Sequence, residues 1–434
     1  MQQLTPIKVP VAGGMAQEFG LVRCEGGVCA ARGMRAAGVA AGLRKEPGRR
    51  DLALVAADAT CACAATFTQN RFCAAPVQVS KEHVAHGRAR AVVLNSGNAN
   101  ASTGAPGIEV ARQTAALVAS ELGCDERDVL VGSTGVIGKP LPIDGFQHGV
   151  PMAASALAST PEAAHDAAVA VMTTDTVPKE SAYTGVLPTG EGDQAGEDSQ
   201  VTFAAGGFVK GSGMIQPNMA TMLCVLSTDA PLTAAAAHAA LTAAVDQTFN
   251  KVTVDSDTST NDTCILLATG RAGGPEIEES SAAFPVVAAA IRCVCEDLAR
   301  MIAADGEGAT KLVTVDVLGA RTTRDAEVVA RSIANSPLVK TAIFGHDANW
   351  GRVAAAAGKC GVDFNQDNVD IDLLGVPVLR AGLPVPMDEE DMLRRFENPE
   401  VAVAISLGEG DASARVWTCD LSHEYITING DYRT

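Results

Sequence analysis

The sequence has few aromatic residues: phenylalanine, tryptophan and tyrosine together make up 4% of its 434 residues. Close packing must therefore depend on aliphatic and small side chains. The hydrophobic share of 47% and the charged share of 19% are typical of a globular chain and exclude a largely disordered one. A chain of this length exceeds the size at which one hydrophobic core stops growing, so we expect two domains or two large lobes.

Positive charge is also scarce, because 33 lysine and arginine residues face 51 acidic ones and the net charge is −18. This balance argues against nucleic acid and anionic membrane as partners, since both require a basic surface. No apolar run approaches the roughly 20 residues of a membrane span. The first residues, Met-Gln-Gln-Leu-Thr-Pro, lack the basic and apolar regions of a signal peptide, so we expect a cytoplasmic protein.

The twelve cysteines do not form a recognisable metal or disulfide pattern. Two Cys-x-Cys pairs occur, but there is no Cys-x-x-Cys and no histidine at zinc-ligand spacing. Without an export signal, reduced structural thiols are the expectation, with no metal. Cys224 is the one rival nucleophile to consider, and its place in the run Met-Leu-Cys-Val-Leu favours burial and inertness.

Hydrophobic periodicity predicts a mixture of helices and strands, either α/β or α+β. Strand-like runs occur at 51–56, 91–95, 201–208 and 312–318, and the segment 129–138 is predicted to be a strand followed by a glycine-punctuated loop. Helical spacing occurs at 107–122, 160–172, 231–247, 282–303, 324–335 and 388–397. Residues 184–199 are rich in glycine and acids, and this composition predicts an exposed loop insertion.

Thr221 follows a glycine-rich segment and Ala220, and it directly precedes the apolar run 222–226. If the Ala220–Thr221 peptide bond breaks, Thr221 becomes an N-terminal residue. Its α-amine, with an ordinary pKa of roughly 7.7–8.0, could then act as the base for its own hydroxyl, which is the N-terminal-threonine form of nucleophilic catalysis. The alternative is that Thr221 simply opens a strand, since threonine favours strands.

Several further segments, taken together with this one, resemble the ornithine acetyltransferase (glutamate N-acetyltransferase) family. The quoted motifs include Asn-Ser-Gly-Asn-Ala-Asn at 95–100, Gly-Ser-Thr-Gly at 132–135 and Met-Thr-Thr-Asp-Thr at 172–176. The other matching segments are 33–42, 51–54, 67–70, 210–224, 255–262, 305–311, 344–352 and 429–434. Each match is short, but the ordered set spans almost the whole chain.

The resemblance implies a two-lobed α/β N-terminal-nucleophile acyltransferase fold, mixed α+β in detail. It implies self-cleavage into an α chain, 1–220, and a β chain, 221–434, which form one folded unit and assemble as a heterotetramer of two α and two β chains. The implied reaction moves an acetyl group from N2-acetylornithine to L-glutamate in arginine biosynthesis. Some family members also use acetyl-CoA as donor. No metal or organic cofactor is implied, because nucleophile and base share one residue.

The resemblance also assigns roles to individual residues. Thr221 is the nucleophile, and Thr134 and Gly135 form the oxyanion hole. The implied substrate contacts are Thr173, Lys210, Thr221, Glu307, Asn429 and Thr434. Asp255, Lys311 and His346 lie in matching segments without an implied role, and we interpret them as structural.

Two features depart from the family pattern. Ser102 stands where cysteine is expected, a change that we expect to affect packing only. The insertion near 184–199 lengthens the segment that leads to Lys210.

Two other functions remain open at this stage. One is a self-processing amidohydrolase or aminopeptidase that uses the same nucleophile and passes the acyl group to water. The other is an uncleaved binding or scaffold protein in which Thr221 is inert.

Overall fold

The computed structural model describes residues 14–188, 201–216 and 222–431. Its helices are α1 (Gly14–Glu18), α2 (Ala75–His83), α3 (Gly104–Leu122), α4 (Asp144–Ala156), α5 (Pro161–Val171), α6 (Ala234–Gln247), α7 (Phe284–Ala304), α8 (Thr323–Ala334), α9 (Pro337–Phe344), α10 (Trp350–Gly358), α11 (Glu389–Phe396) and α12 (His423–Asp431). None of these helices is both long enough and apolar enough to cross a bilayer.

The strands form two sheets. They are β1 (Val22–Arg23), β2 (Met34–Val39), β3 (Leu52–Phe67), β4 (Arg88–Asn98), β5 (Val129–Val136), β6 (Lys179–Leu187), β7 (Val201–Lys210), β8 (Leu223–Thr228), β9 (Thr263–Ala268), β10 (Leu312–Ala320), β11 (Asp370–Leu373), β12 (Val376–Arg380), β13 (Leu383–Pro384), β14 (Glu400–Ser406) and β15 (Ala412–Cys419). The first sheet has the order β1-β6-β7-β8-β9-β3-β4-β5, with β2 also paired to β3. The second has the order β13-β12-β11-β14-β10-β15.

The first sheet folds over on itself at β3. This long strand pairs with β4 mainly through its first half and with β9 through its second half, and its register shifts between Ala56 and Cys61. Val225 and Ile265 of β8 and β9 consequently pack in one core with Val92 and Leu130 of β4 and β5. Helices α6 and α7 cover the outer face of one half, and α3 and α4 cover that of the other. The result is a layered α–β–β–α lobe.

The central strands of this lobe, β8 and β9, run parallel and are buried along their full length. Burial on both faces explains why their sequences are nearly continuous apolar runs and do not alternate. Strand β7 pairs antiparallel with β8, so residues on either side of position 220 belong to neighbouring strands of one sheet. The second lobe packs its own sheet against α8 and has a separate core.

Most of the predicted elements are confirmed, although the strand predicted at 51–56 continues to Phe67 as the long strand β3. Helix α3, for example, ends at Leu122, and Gly123 provides the left-handed cap. The prediction that a loop begins at residue 184 is wrong, because β6 continues to Leu187 in full pairing with β7. Gly185 fits there because its missing side chain leaves room for Phe203 and Leu21. The remainder of that segment, 189–200, lies outside the described residues.

The mixed α/β class with two lobes is confirmed, whereas six helices were not predicted: α1, α2, α4, α9, α10 and α12. All twelve cysteines are free thiols. Cys224 is 1% exposed in β8, and burial raises the pKa of its thiol. A thiol that resists ionisation is a poor nucleophile, which agrees with the expectation that Cys224 is inert.

Close packing of β2 on α5 gives a stability prediction. A Cβ at Gly38 would lie 1.9 Å from the Asp166 carbonyl oxygen. We therefore expect Gly38→Ala to lower the free energy of unfolding by about 1–3 kcal/mol through overpacking. A Cβ at Gly358, at the end of α10, would meet no atom within 4 Å. Gly358→Ala is the control, and urea unfolding should leave its stability equal or slightly raised; equal effects of the two substitutions would contradict the packing.

Candidate active site

A polar cavity of about 220 Å³ opens where the two halves of the folded sheet face each other. Strand β5 on one side and the start of β8 on the other both reach it. The six predicted site residues that the structure describes all line this cavity: Thr134, Gly135, Thr173, Lys210, Glu307 and Asn429. They come from five strands, loops or helices that are distant in sequence, so the fold brings together residues that the sequence analysis identified one by one.

Three predicted residues, Ala220, Thr221 and Thr434, lie outside the described residues. Met222, which follows Thr221 in the chain, does line the cavity. Its carbonyl oxygen accepts a hydrogen bond from the Thr263 N–H at 2.8 Å, so the described start of the β8 segment is anchored beside the cavity.

The Thr134–Gly135 segment lies at the end of β5, where its pairing with β4 becomes irregular. Gly135 has φ +130°, in the region that favours glycine. A Cβ there would lie 2.3 Å from the backbone carbon of Gly97. The close approach of two backbones therefore requires glycine at 135, and the turn presents the 9%-exposed Thr134 at the cavity.

Lys210 ends β7 and extends its ammonium group toward this turn. Its Nζ donates to the Thr134 hydroxyl oxygen at 3.3 Å. Burial lowers the pKa of Lys210, and the neighbouring Asp175 carboxylate opposes this change. Because the hydroxyl accepts from Lys210, its own hydrogen remains available for another acceptor.

A buried ionic network behind Lys210 was not predicted. The Lys179 ammonium contacts Asp175 at 2.7 Å and Asp305 at 2.5 Å, with no solvent exposure of its own side chain. Asp175 also accepts from the Gly211 N–H at 2.7 Å. Burial alone would raise the pKa of Asp175, but Lys210 and Lys179 lower it to about 2. The motif 172–176 contacts Asp305 through the Thr176 N–H, a long-range contact that no local sequence pattern reveals.

Thr173 is held by the same network, since its N–H donates to Asp175 at 3.0 Å. The next residue, Thr174, shares a hydroxyl–hydroxyl hydrogen bond of 2.7 Å with Ser212. These contacts fix the backbone that carries Thr173 against the glycine-rich turn after β7.

Glu307 lies on the loop between α7 and β10, and it is 8% exposed. Its backbone N–H donates to the Ser212 carbonyl at 2.8 Å, and its carboxylate accepts from the Asn429 side chain at 2.7 Å. A Cβ at Gly213 would lie 2.3 Å from this carboxylate. Glu307 and Asn429 therefore form a hydrogen-bonded pair, and the absence of a side chain at Gly213 leaves room for the Glu307 carboxylate.

Asp255, which we interpreted as structural, also lines the cavity. Its carboxylate accepts from the N–H groups of Met214 and Ile215 at 2.6 and 2.8 Å, which ties down the chain that leads toward residue 217. Burial raises the pKa of Asp255, and these backbone donors oppose the rise.

The charges of the cavity wall are unbalanced. Among the described residues that line it, four carboxylates face one ammonium group: Asp255, Asp257, Asp262 and Glu307 against Lys210. Such a wall suits a ligand that carries both an ammonium group and a carboxylate. Across residues 14–188, 201–216 and 222–431, no group of three or more histidine, cysteine or acidic side chains is arranged to hold a metal ion.

Two other residues from matching segments lie outside this cavity. The Lys311 ammonium donates to the carbonyls of Phe396 and Asn398 at 2.6 and 3.1 Å, and so caps the end of α11. His346 stacks on Phe396 with a ring-centroid distance of 5.7 Å. These contacts agree with the structural interpretation of both residues.

Comparison with known proteins reveals relatives along most of the chain. The model of the ArgJ family matches residues 35–434. A protein of Symbiobacterium thermophilum, named arginine biosynthesis bifunctional protein ArgJ, is 46% identical over 94% of this chain and 99% of its own. The protein of the same name from Geobacter sulfurreducens is 45% identical over 93% of this chain and 99% of its own.

A solved structure of ornithine acetyltransferase complexed with ornithine, from Mycobacterium tuberculosis, is 38% identical to this chain. The match covers 47% of the present chain and 98% of the Mycobacterium tuberculosis chain, with a TM-score of 0.40.

The architecture and the polar cavity define a two-lobed, mixed α/β protein whose site lies between the halves of one folded sheet. The family match and the near full-length relatives identify it further. The chain belongs to the ArgJ family, which confirms the resemblance seen in its motifs.

The buried network gives a second prediction. Lys179→Met leaves the carboxylates of Asp175 and Asp305 buried without this cation, so we expect the free energy of unfolding at neutral pH to fall by about 3–5 kcal/mol. Lys359, which is exposed on the surface, provides the control Lys359→Met, with an expected change within about 0.5 kcal/mol. Urea unfolding measures both, and a small effect at position 179 would contradict the network.

The same network has a defined pH dependence. The folded-state pKa of Asp175 is about 2, below its ordinary value. Its stabilisation is therefore fully present above the ordinary carboxyl range, near pH 4, and is lost as the pH falls toward 2. The free energy of unfolding of Asp175→Asn should therefore lack the decrease that Asp175 causes as the pH falls from about 4 toward 2, and acid unfolding of both proteins measures this difference.

Proposed function

We propose that this protein is a glutamate N-acetyltransferase that moves the acetyl group of N2-acetylornithine to L-glutamate in arginine biosynthesis. The observation that carries the proposal is the convergence of Thr134, Gly135, Lys210, Glu307 and Asn429 on one cavity. Relatives of almost the same length are named arginine biosynthesis bifunctional proteins, which supports this pathway.

The proposed nucleophile is Thr221, freed by self-cleavage after Ala220. The products are an α chain, 1–220, and a β chain, 221–434. The position of Met222 in the cavity wall supports this assignment, because one peptide bond joins it to Thr221. Strands β7 and β8 pair through residues 205–210 and 223–228, outside the proposed cleavage site, so we expect the two products to stay in one folded unit.

Acetyl transfer proceeds in two half-reactions. The Thr221 hydroxyl oxygen attacks the acetyl carbonyl of acetylornithine while its α-amine accepts the hydroxyl proton. The C–N bond then breaks and the proton passes to the leaving nitrogen. Ornithine departs, and an acetyl ester remains on Thr221. The amine of glutamate attacks that ester, its proton passes to the Thr221 amine, and the C–O bond breaks as the proton returns to the hydroxyl.

Each half-reaction passes through a tetrahedral oxyanion. Thr134 and Gly135 are the proposed donors, and a single donor of this type typically contributes roughly 10²–10³ in rate. The contact of Lys210 with the Thr134 hydroxyl supports this role, because it leaves the hydroxyl hydrogen available for the oxyanion.

The charged residues give the cavity its proposed substrate preference. Lys210 pairs with the α-carboxylate shared by donor and acceptor. Glu307, oriented by Asn429, meets an ammonium group of the donor. Thr173 and Thr434 complete the proposed substrate contacts.

The proposal also includes a heterotetramer of two α and two β chains in the cytoplasm, with no cofactor. Acetyl-CoA is a second proposed donor, through which the enzyme would act as an amino-acid N-acetyltransferase; the word bifunctional in the relatives' names favours it. The alternative remains an amidohydrolase or aminopeptidase with the same nucleophile, in which water accepts the acyl group.

Intact mass under denaturing conditions tests the proposal directly. We expect two chains that together account for 44.4 kDa, the second beginning at Thr221. Brief exposure to N2-acetylornithine before an acid quench should add one acetyl group to that second chain. Thr221→Ala is the control and should remain a single unacetylated chain.

The other outcomes separate the alternatives. Two chains without acetyl gain, together with release of acetate, would indicate a hydrolase. A single chain that never cleaves or acetylates would contradict the proposed nucleophile and favour an inert binding protein.

The close approach of the Glu307 carboxylate to Gly213 gives a further prediction. In Gly213→Ala, the added methyl group occupies the position of the Glu307 carboxylate and displaces it. A hydrogen bond to a charged group contributes roughly 1.5–3 kcal/mol, so we expect the KM for acetylornithine to rise about tenfold. We expect little loss of stability, because the displaced group is the end of a flexible side chain. Gly430→Ala, next to Asn429, is the control because a Cβ there meets no atom within 4 Å. Steady-state kinetics with both variants makes the measurement; an unchanged KM in Gly213→Ala would remove Glu307 from substrate binding.

A further inference from the structure

Asn261 connects the two sides of the cavity. It is 5% exposed, and its side-chain nitrogen donates to the carbonyl oxygens of Ala99 at 2.6 Å and Ser133 at 2.8 Å. Its side-chain oxygen accepts from the Thr260 hydroxyl at 2.6 Å. Carbonyl oxygens only accept hydrogen bonds, so both of them require the nitrogen of the amide on their side, and this fixes its orientation.

The contact with Ser133 reaches the proposed oxyanion donors. The Ser133 carbonyl and the Thr134 N–H belong to one planar peptide unit. A hydrogen bond that holds the oxygen of this unit therefore also sets the direction of the Thr134 N–H and of the turn into Gly135. Asn261 donates to this carbonyl from the facing half of the sheet, just before β9.

The same short segment also holds the chain next to the proposed nucleophile. Two residues after Asn261, the Thr263 N–H donates to the Met222 carbonyl at 2.8 Å. The Thr263 hydroxyl donates to the Asn261 carbonyl at 3.0 Å, which stiffens the segment between the two contacts. Residues 261–263 thus bond to the oxyanion side at one end and to the nucleophile side at the other.

We infer that Asn261 is a positioning residue that sets the spacing between the oxyanion donors and the described start of the β8 segment at Met222, through its two hydrogen bonds to Ala99 and Ser133. The inference rests on the proposed acetyl-transfer function and extends it to a residue that lines the cavity and whose side-chain amide bonds to protein groups. Displacement of a catalytic group by about 1 Å is enough to cost on the order of 10²-fold in rate.

Asn100 provides a matched control. It is 1% exposed, its side-chain nitrogen donates to the Gly107 carbonyl at 2.9 Å, and its side-chain oxygen accepts from the Thr103 hydroxyl at 2.7 Å. Both asparagines are therefore buried amides between a backbone carbonyl and a threonine hydroxyl. Only the side chain of Asn261 bonds to the segment that carries Thr134.

The test compares Asn261→Asp with Asn100→Asp, since aspartate keeps the shape of the side chain and removes its N–H donors. Asn261→Ala and Asn100→Ala form a second, uncharged pair in case a buried carboxylate prevents folding. For each variant, thermal unfolding gives the stability, intact mass gives the cleaved fraction, and kcat is expressed per cleaved chain.

The expected result is a kcat about 10- to 100-fold lower in the Asn261 variants than in the matched Asn100 variants, with KM for both substrates within about twofold. The aspartate pair is the closer match in thermal stability, because Asn100 has φ +48°, a conformation that asparagine and aspartate adopt more readily than alanine. A folded Asn261 variant that fails to self-cleave, while its Asn100 partner cleaves, also supports the inference, because peptide cleavage passes through an oxyanion as well.

Equal kcat values within a matched pair would overturn the inference, as would a change confined to KM. Failure of the proposed function is distinguishable from failure of this inference, because only the former appears in the unmutated protein, as an absence of acetyl transfer. The inference would then fall with it.

Discussion

The buried Lys179 ammonium is the constraint on which the cavity depends. It joins Asp175, from the segment after α5, to Asp305, at the end of α7. Charges removed from water are costly unless each is paired and hydrogen-bonded, so this arrangement tolerates little movement of its partners. Asp175 in turn holds the N–H of Gly211, next to Lys210. The backbone beside Lys210, on one side of the cavity, is therefore held by a charged network of residues that do not line the cavity themselves.

The folding of the first sheet determines which strands face each other. Because β3 pairs with β4 along one half and with β9 along the other, the ends of β5 and β8 meet across a narrow space. Small side chains permit this close approach, as the contact of Gly135 with Gly97 illustrates. The low aromatic content of the sequence is consistent with layers packed in this way.

Local signals explain which elements could be predicted. Helix α3 has a regular apolar stripe and a glycine stop, and both are readable within the segment. Helix α4 was missed because it contains Pro151 and its burial of Phe146 and Val150 comes from packing against the sheet. Residues 184–187 have the composition of a loop, but their cross-strand pairing with β7 makes them the end of strand β6.

Residue identity and spacing were enough to indicate the family, the order of the motifs and the chemical types of the candidate site residues. Which of these residues lie together depends on the packing of the layers. The bonds of Asn261 to Ser133 and of Lys179 to Asp305 join residues more than a hundred positions apart. Hydrophobic periodicity reports local conformation and burial, whereas such contacts depend on how the layers pack, so no spacing along the chain could predict them.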